Sequence, residues 1–352
     1  MKLRSVLVMT IVLLVACEPD APDVVNESPF EEVFLERYLT ELEQPEDAPI
    51  GSAGGAAWVG DYVILADRRQ SNLKVFGIDG TLIRTVGRAG DGPGELRFPL
   101  AVVALDSGRF ASVDVGRSQH IALWDTAGTL VRSWRIDGAP RSLDVTPRGT
   151  ILLGGLVPST EAGSRGPGAR AQEFSLSGDR LNILGVLEPV SSRWEGMLRG
   201  VTARAVGDVV VSADYPTNRV WYRNMSTGVE GFFTIGDTWY TPIQWPPEFA
   251  GTMTTADRTT FRDLARSAHL LVGVRPVSAT CLIAQFETWI EDARVWYYVV
   301  TSLQGETIAI AGPTPLNISD VRDASVLGTI QMDDGRVFMG SYELRARFLE
   351  NC

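Results

Sequence analysis

Three aspartates recur at one place in a repeating pattern: Asp67 closes V-I-L-A-D, Asp114 closes F-A-S-V-D and Asp214 closes V-V-V-S-A-D. After each comes a polar turn, a second apolar run and a glycine turn at Gly80, Gly128 or Gly228. Carboxylates are hard oxygen ligands, so a converging set of them could hold calcium. Their repetition speaks instead for a repeated structural task, the capping of the turn that follows each run. The two histidines, His120 and His269, stand far apart, and neither has a second ligand at metal spacing. There is no G-x-S-x-G elbow and no Cys/His pair. The sequence therefore assigns no catalytic residue and no cofactor, with calcium at Asp67, Asp114 and Asp214 as the metal alternative. What remains is chemistry suited to recognition. Arg68, Arg69, Arg117 and His120 sit in polar turns, and Trp194, Trp239, Tyr240, Trp245 and Trp289 complete a candidate binding set of arginine and aromatic side chains.

The elements that must position these groups follow from the same pattern. Asp67 and Asp114 are 47 residues apart and Asp114 and Asp214 are 100 apart, so one degenerate copy belongs between them. It is present as G-T-I-L-L-G-G-L near 149–156 and E-F-S-L-S-G-D-R-L near 173–181. Four short strands per period of about 40–50 residues describe a propeller blade. Blades one to four span 53–87, 98–134, 140–186 and 199–236. Blade five resumes at H-L-L-V-G-V after a Trp- and Pro-rich preface and a helical stretch T-T-A-D-R-T-T-F-R-D-L-A-R, and blade six is 321–349. The expected fold is all-β, a six-bladed β-propeller of four-stranded antiparallel blades.

Residues 87–99, G-R-A-G-D-G-P-G-E-L-R-F-P, followed by V-D-V-G-R-S-Q-H-I-A-L-W-D-T-A-G, resemble the NHL-type repeat of six-bladed propellers. The likeness is sharpest over the first two blades. Glycines permit positive φ in this loop, Pro93 and Pro99 stiffen it, and Glu95 can bond free loop amides. No helix follows, so the loop is structural rather than a phosphate cradle. Some propellers of this kind are lyases with a histidine-rich zinc site. Others are lactonases with tunnel calcium, which makes a calcium-assisted hydrolase, lactonase or lyase the alternative function.

The first 17 residues stand apart. Lys2 and Arg4 precede an apolar run too short for a permanent span, and L-V-A-C at 14–17 resembles the lipobox of bacterial lipoproteins, with Cys17 as the acylated residue. The implied organisation is a signal peptide over 1–16, an acidic Pro-rich tether over 17–29 and a single propeller domain over 30–352. Acyl chains on Cys17 would anchor the protein to a bacterial membrane, and Glu18 after the cysteine favours the outer membrane, facing the periplasm. Loss of Lys2 and Arg4 takes the net charge from −11 to −13 and leaves Lys74 as the one lysine. So acidic a chain is a poor partner for nucleic acid.

A ring of blades needs its ends joined. Blade six shows three strands, S-V-L-G-T-I-Q-M, R-V-F-M-G-S-Y and L-R-A-R-F-L-E, and residues 30–39, F-E-E-V-F-L-E-R-Y-L, are expected to supply the fourth. Closure hides the open edges and suits a monomer. Cys281 opens the second strand of blade five and Cys352 follows the third of blade six. Both fall on one face but at different radii, so a disulfide and two free thiols stay open. The two long insertions, 154–171 in blade three and the Trp-rich preface to blade five, leave from the opposite face. The functional expectation is a lipid-anchored envelope binding module, taking a protein, peptide or glycan through that insertion-bearing face and touching the membrane through its anchor alone.

Overall fold

Alternating small and branched apolar residues, cut by glycine turns, give this chain strands that bury both faces. The computed structural model describes residues 27–157, 168–188, 199–236, 239–244, 255–322 and 324–352. Six four-stranded antiparallel sheets follow one another around an axis, and five are simple meanders. The innermost strands are Ala53–Val59, Pro99–Ala104, Ala139–Val145, Gly200–Val206, Leu270–Pro276 and Asn317–Arg322. Strands of a blade alternate side chains between its two faces, so each face packs on one neighbour. The buried apolar clusters accordingly lie between blades. Ala57, Ile64, Val75, Phe110 and Trp124 join blades one and two, and Val211, Val220, Phe286 and Val299 join blades four and five.

Closure is as the sequence predicts, with two corrections of detail. Phe34–Glu41 pairs antiparallel with Val337–Leu344 and is the outermost strand of blade six, but Phe30–Val33 is a helical turn, α1, rather than strand. Its apolar side, Phe30 and Val33, is buried among Tyr298, Val326 and Tyr342, which strand alternation would not allow. Blade six also has its own innermost strand, Asn317–Arg322, while L-R-A-R-F-L-E contains a short helix, α3, at Ala346–Leu349. The arginines of that helical segment are committed: Arg345 and Arg347 donate to the Glu31 and Glu32 carbonyls and so tie the chain's end to its beginning. Upstream of α1, Glu27–Ser28 runs parallel to Ile310–Ala311 as a fifth strand on blade five. Cys281 and Cys352 are joined by a disulfide with Cα atoms 5.4 Å apart.

The recurring aspartates hold blades to their connections. Asp67 accepts hydrogen bonds from the amides of Gly51, Ser52, Arg69 and Gln70 at 2.9–3.2 Å. Asp114 accepts from Arg97, Phe98 and Gly116 at 2.7–2.9 Å. Each carboxylate thus locks the chain entering its blade to the turn behind its second strand. In blade four the partner is different. Arg170, fully buried on the third strand of blade three, pairs with Asp214 and lies beside the Trp221 and Phe232 rings. A buried pair of this kind is costly to break from one side, since the remaining charge is left uncompensated. The glycine-rich loop is structural as well. The Glu95 carboxylate takes the Gly92 amide at 2.9 Å and the Arg88 guanidinium at 3.0 Å, and Gly87 and Gly94 have φ of +72° and +76°.

Candidate functional site

Innermost strands carry small residues at the axis, and the space they leave is a channel of about 500 Å³. It opens on the face where second strands end and new blades begin. Gly54, Leu100, Arg141, Gly200 and Leu271 line it at the starts of innermost strands, and Arg68, Tyr215 and Glu287 at the ends of second strands. The flanking strands show that both long insertions leave from this same face. One insertion joins Ile151–Val157 to Ala169–Phe174, and the other joins Glu230–Thr234 to Leu270–Pro276. Residues 158–167, 189–198 and 245–254 lie outside the described residues.

Five arginines line the channel, Arg68, Arg141, Arg204, Arg275 and Arg294, against the single carboxylate Glu287. In a chain of net charge −11 this is a concentration of the minority sign. The deeper pair is compensated. Arg204 donates to the Leu143 and Ala203 carbonyls, and Arg275 donates to Gln285 at 3.0 Å. Asp144 and Asp320 lie nearby, each bound to two amides, one of them across a blade boundary (Ala205 and Trp58). Burial raises both carboxyls above the usual range, and it lowers Arg275 to about 10, with Arg204 adding to the effect. The mouth is less balanced. Burial pushes the Arg68 guanidinium down, and the adjacent charges of Arg294 and Arg141 push the same way. Arg294 has Glu287 at 3.8 Å, while neither Arg68 nor Arg141 is paired with a carboxylate among the described residues. Burial raises the Glu287 carboxyl against the pull of Arg294, and burial beside Glu287 raises the Tyr215 hydroxyl to about 12.

Of the nine binding residues expected from sequence, Arg68 lies on the channel wall. Arg69 and Arg117 are exposed on turns of the same face. His120 is buried at the start of a third strand, with Nδ1 donating to the Ser118 carbonyl at 2.7 Å. Trp239 stacks on His269 with ring centroids 4.1 Å apart, packs on Phe286 and Tyr297, and donates to Glu27 at 2.6 Å. Tyr240 donates to the Pro216 carbonyl at 2.7 Å. These rings are half-buried and pack over the blade-four/blade-five junction. Trp289 lies under Arg266 of the helix α2, Thr255–Arg266, at 4.7 Å. Trp194 and Trp245 fall outside the described residues. Asp67, Asp114 and Asp214 sit in three different blades with their carboxylates turned to amides or to Arg170, so they do not converge. Among the described residues no three His, Cys, Asp or Glu side chains gather at metal-binding distance.

Sequence reasoning missed Arg141, Arg204, Arg275, Arg294 and Glu287. The signal was there: Arg141, Arg204 and Arg275 are the cationic residues on three innermost strands, where small or apolar residues otherwise stand.

A family model described as a 6-bladed beta-propeller matches residues 20–101. No curated protein matches the chain. Among solved structures, the chain is similar to a Bacteroides fragilis protein that carries an export assignment in its name. That likeness has 10% identity and a TM-score of 0.58, and it covers 90% of this chain and 97% of that one. It is also similar to a Bacteroides vulgatus member of the duf4221 family, at 8% identity and a TM-score of 0.57, covering 89% of this chain and 98% of that one. At such identities the likeness is one of fold.

Proposed function

We propose that this chain is a binding module of a bacterial envelope. It would be held to a membrane by acylated Cys17 and would engage an envelope protein, peptide or glycan through the face that bears the channel mouth. One observation carries the reading: the mouth and both long insertions share that face, so chain length and a concave charged opening are invested in the same place. The opposite face is closed by short turns, α3 and the disulfide, which leaves it little for recognition. The L-V-A-C motif supports the anchor, and the named export of the Bacteroides fragilis relative is consistent with an envelope setting.

The test is capture by the detergent-solubilised full-length chain from an envelope extract, compared with a variant lacking residues 158–167. Loss of the partner reproducibly held by wild type, with melting unchanged, is the expected result. Equal capture by both would overturn the assignment of binding to this face.

A further inference from the structure

We propose that the channel mouth is a binding site for a small organic polyanion, one carrying carboxylate or phosphoryl groups, held by Arg68, Arg141 and Arg294. The proposal deepens the reading above, since it names a ligand for the same face.

The first argument is charge. Three guanidiniums meet one carboxylate at the mouth, whereas the deeper pair, Arg204 and Arg275, is matched by Asp144 and Asp320. The excess therefore lies at the opening, where a ligand arrives. Like charges brought together in a partly desolvated wall oppose folding unless an anion is placed among them. The fold offsets the cost in part, with Arg68 5.8 Å from the Phe98 ring and Arg294 5.0 Å from the Trp296 ring, but Glu287 is the one carboxylate among the described residues that answers the three charges. Asp67, the carboxylate next in sequence to Arg68, is spent on four amides and does not turn to it.

The second argument is unmade hydrogen bonds. Arg68 Nε, Arg275 Nε and Thr202 Oγ1 are buried polar atoms without a partner among the described residues, and all three residues line this channel. Most buried donors in folded proteins are satisfied, and although Arg170 and Trp134 also hold unmet donors elsewhere, the three here share one cavity. Arg275 and Thr202 converge over Gly273, where a Cβ would stand 3.3 Å from an Arg275 nitrogen and 3.9 Å from Thr202 Oγ1. Ser142 bonds the Ala203 backbone, which sets Thr202 level with Arg141, while Arg275 stands near the far end of Leu270–Pro276. Several guanidiniums around one channel suit an anion with more than one acidic group, and the planar fork of arginine matches carboxylate and phosphoryl oxygens alike. The third argument is size. A volume of about 500 Å³ takes a small molecule rather than a folded partner.

The test is calorimetric titration of full-length protein in detergent with sodium citrate and, separately, sodium pyrophosphate, against sodium chloride of equal ionic strength. The two ligands distinguish carboxylate from phosphoryl recognition. Saturable binding of at least one is expected, weakened about tenfold or more in Arg141→Gln and further in Arg68→Gln/Arg141→Gln. Arg141 is exposed and pairs with no carboxylate among the described residues, so its replacement is expected to leave melting no lower, and Arg141→Lys is expected to recover part of the loss of binding. Absence of saturable binding by both anions, or equal affinity in the wild type and the double variant, would overturn the proposal. The capture experiment separates this failure from that of the broader reading. Partner capture lost on deletion of 158–167 with no anion bound removes the anion site alone, and anion binding with capture indifferent to the deletion removes the broader reading alone.

Discussion

Glu287 is the one carboxylate in the channel lining, and its environment makes the mouth sensitive to pH. Burial raises its carboxyl above the usual range while Arg294 opposes the shift. The groups facing it are Arg294, Tyr215 and, through Tyr215, Arg141; the Tyr215 hydroxyl, raised to about 12, stays neutral in the range that matters. In its ionised form Glu287 cancels part of the charge of the arginine triad. As pH falls through its raised value the carboxyl takes up a proton, and the mouth gains net positive charge. Sulfate, which does not titrate between about pH 8 and about pH 5, is therefore expected to bind more tightly as pH falls across that range. In Glu287→Gln the affinity should be flat with pH and, at neutral pH, higher than wild type. A parallel pH profile in the two proteins would show that another group governs the mouth. The linkage has the same sign for stability. A carboxyl with a raised folded value binds its proton more tightly when folded, so its contribution is lost as pH rises, and Asp144 and Asp320 act in the same direction.

At the scale of elements, the chain's two ends are fastened in series. The Phe34–Glu41 strand covers the edge of Val337–Leu344, α3 ties α1 through Arg345 and Arg347, and the disulfide ties α3's end to the second strand of blade five. The bond spans 71 residues of sequence, and in the chain-entropy view a loop of that length is worth up to about 4 kcal/mol. Cys352→Ser, and Cys281→Ser to the same extent, is expected to lower unfolding stability by a few kcal/mol in denaturant melts, with the double variant no worse than either single one. Additive losses would mean that the cysteines stabilise by packing and not by their bond. The closing strand was legible in the sequence because a ring one strand short demands it, and the repeat was legible because Asp67, Asp114 and Asp214 end strands in the same phase. The innermost strand of blade six was not. N-I-S-D-V-R places Asp320 against the Trp58 amide of the next blade, so its aspartate is held by a partner that no local pattern reveals. L-R-A-R-F-L-E alternates like a strand because its arginines serve distant carbonyls. The arginine cluster escaped for a related reason: Arg68, Arg141 and Arg294 belong to three blades, and their neighbourhood exists only once the register of every innermost strand is known.

At the scale of the whole molecule, the two faces of the ring are unequal, and the position of the N-terminus relates that inequality to a membrane. Phe34 pairs with Leu344 at the face opposite the channel mouth, and Glu41 pairs with Phe338 toward the mouth. Glu27–Ser28 runs parallel to Thr307–Thr314 at the level of Ile310–Ala311, so the chain travels in the direction from the opposite face toward the mouth as it enters the fold, with Glu27 meeting Trp239 of the segment that leads into blade five. With Cys17 acylated, the nine residues from 18 to 26 could reach about 30 Å at full extension, too little to carry the anchor easily around the ring. The channel mouth is then expected to face away from the bilayer, toward soluble or neighbouring-layer partners. With Cys281 and Cys352 joined, a single introduced cysteine can be labelled selectively. A fluorophore at Arg117→Cys, on an exposed mouth-face turn of blade two and across the ring from the tether, should be quenched much less by lipid-borne quenchers in proteoliposomes than one at Thr227→Cys, in an outer turn of the other face. Cys17→Ser, which removes the anchor, should abolish quenching at both positions and release the protein from the vesicles. Equal quenching of the two labels in the anchored protein would show that the ring lies on its side or rotates freely, and the outward presentation of the mouth would then be wrong even if the anchor is right.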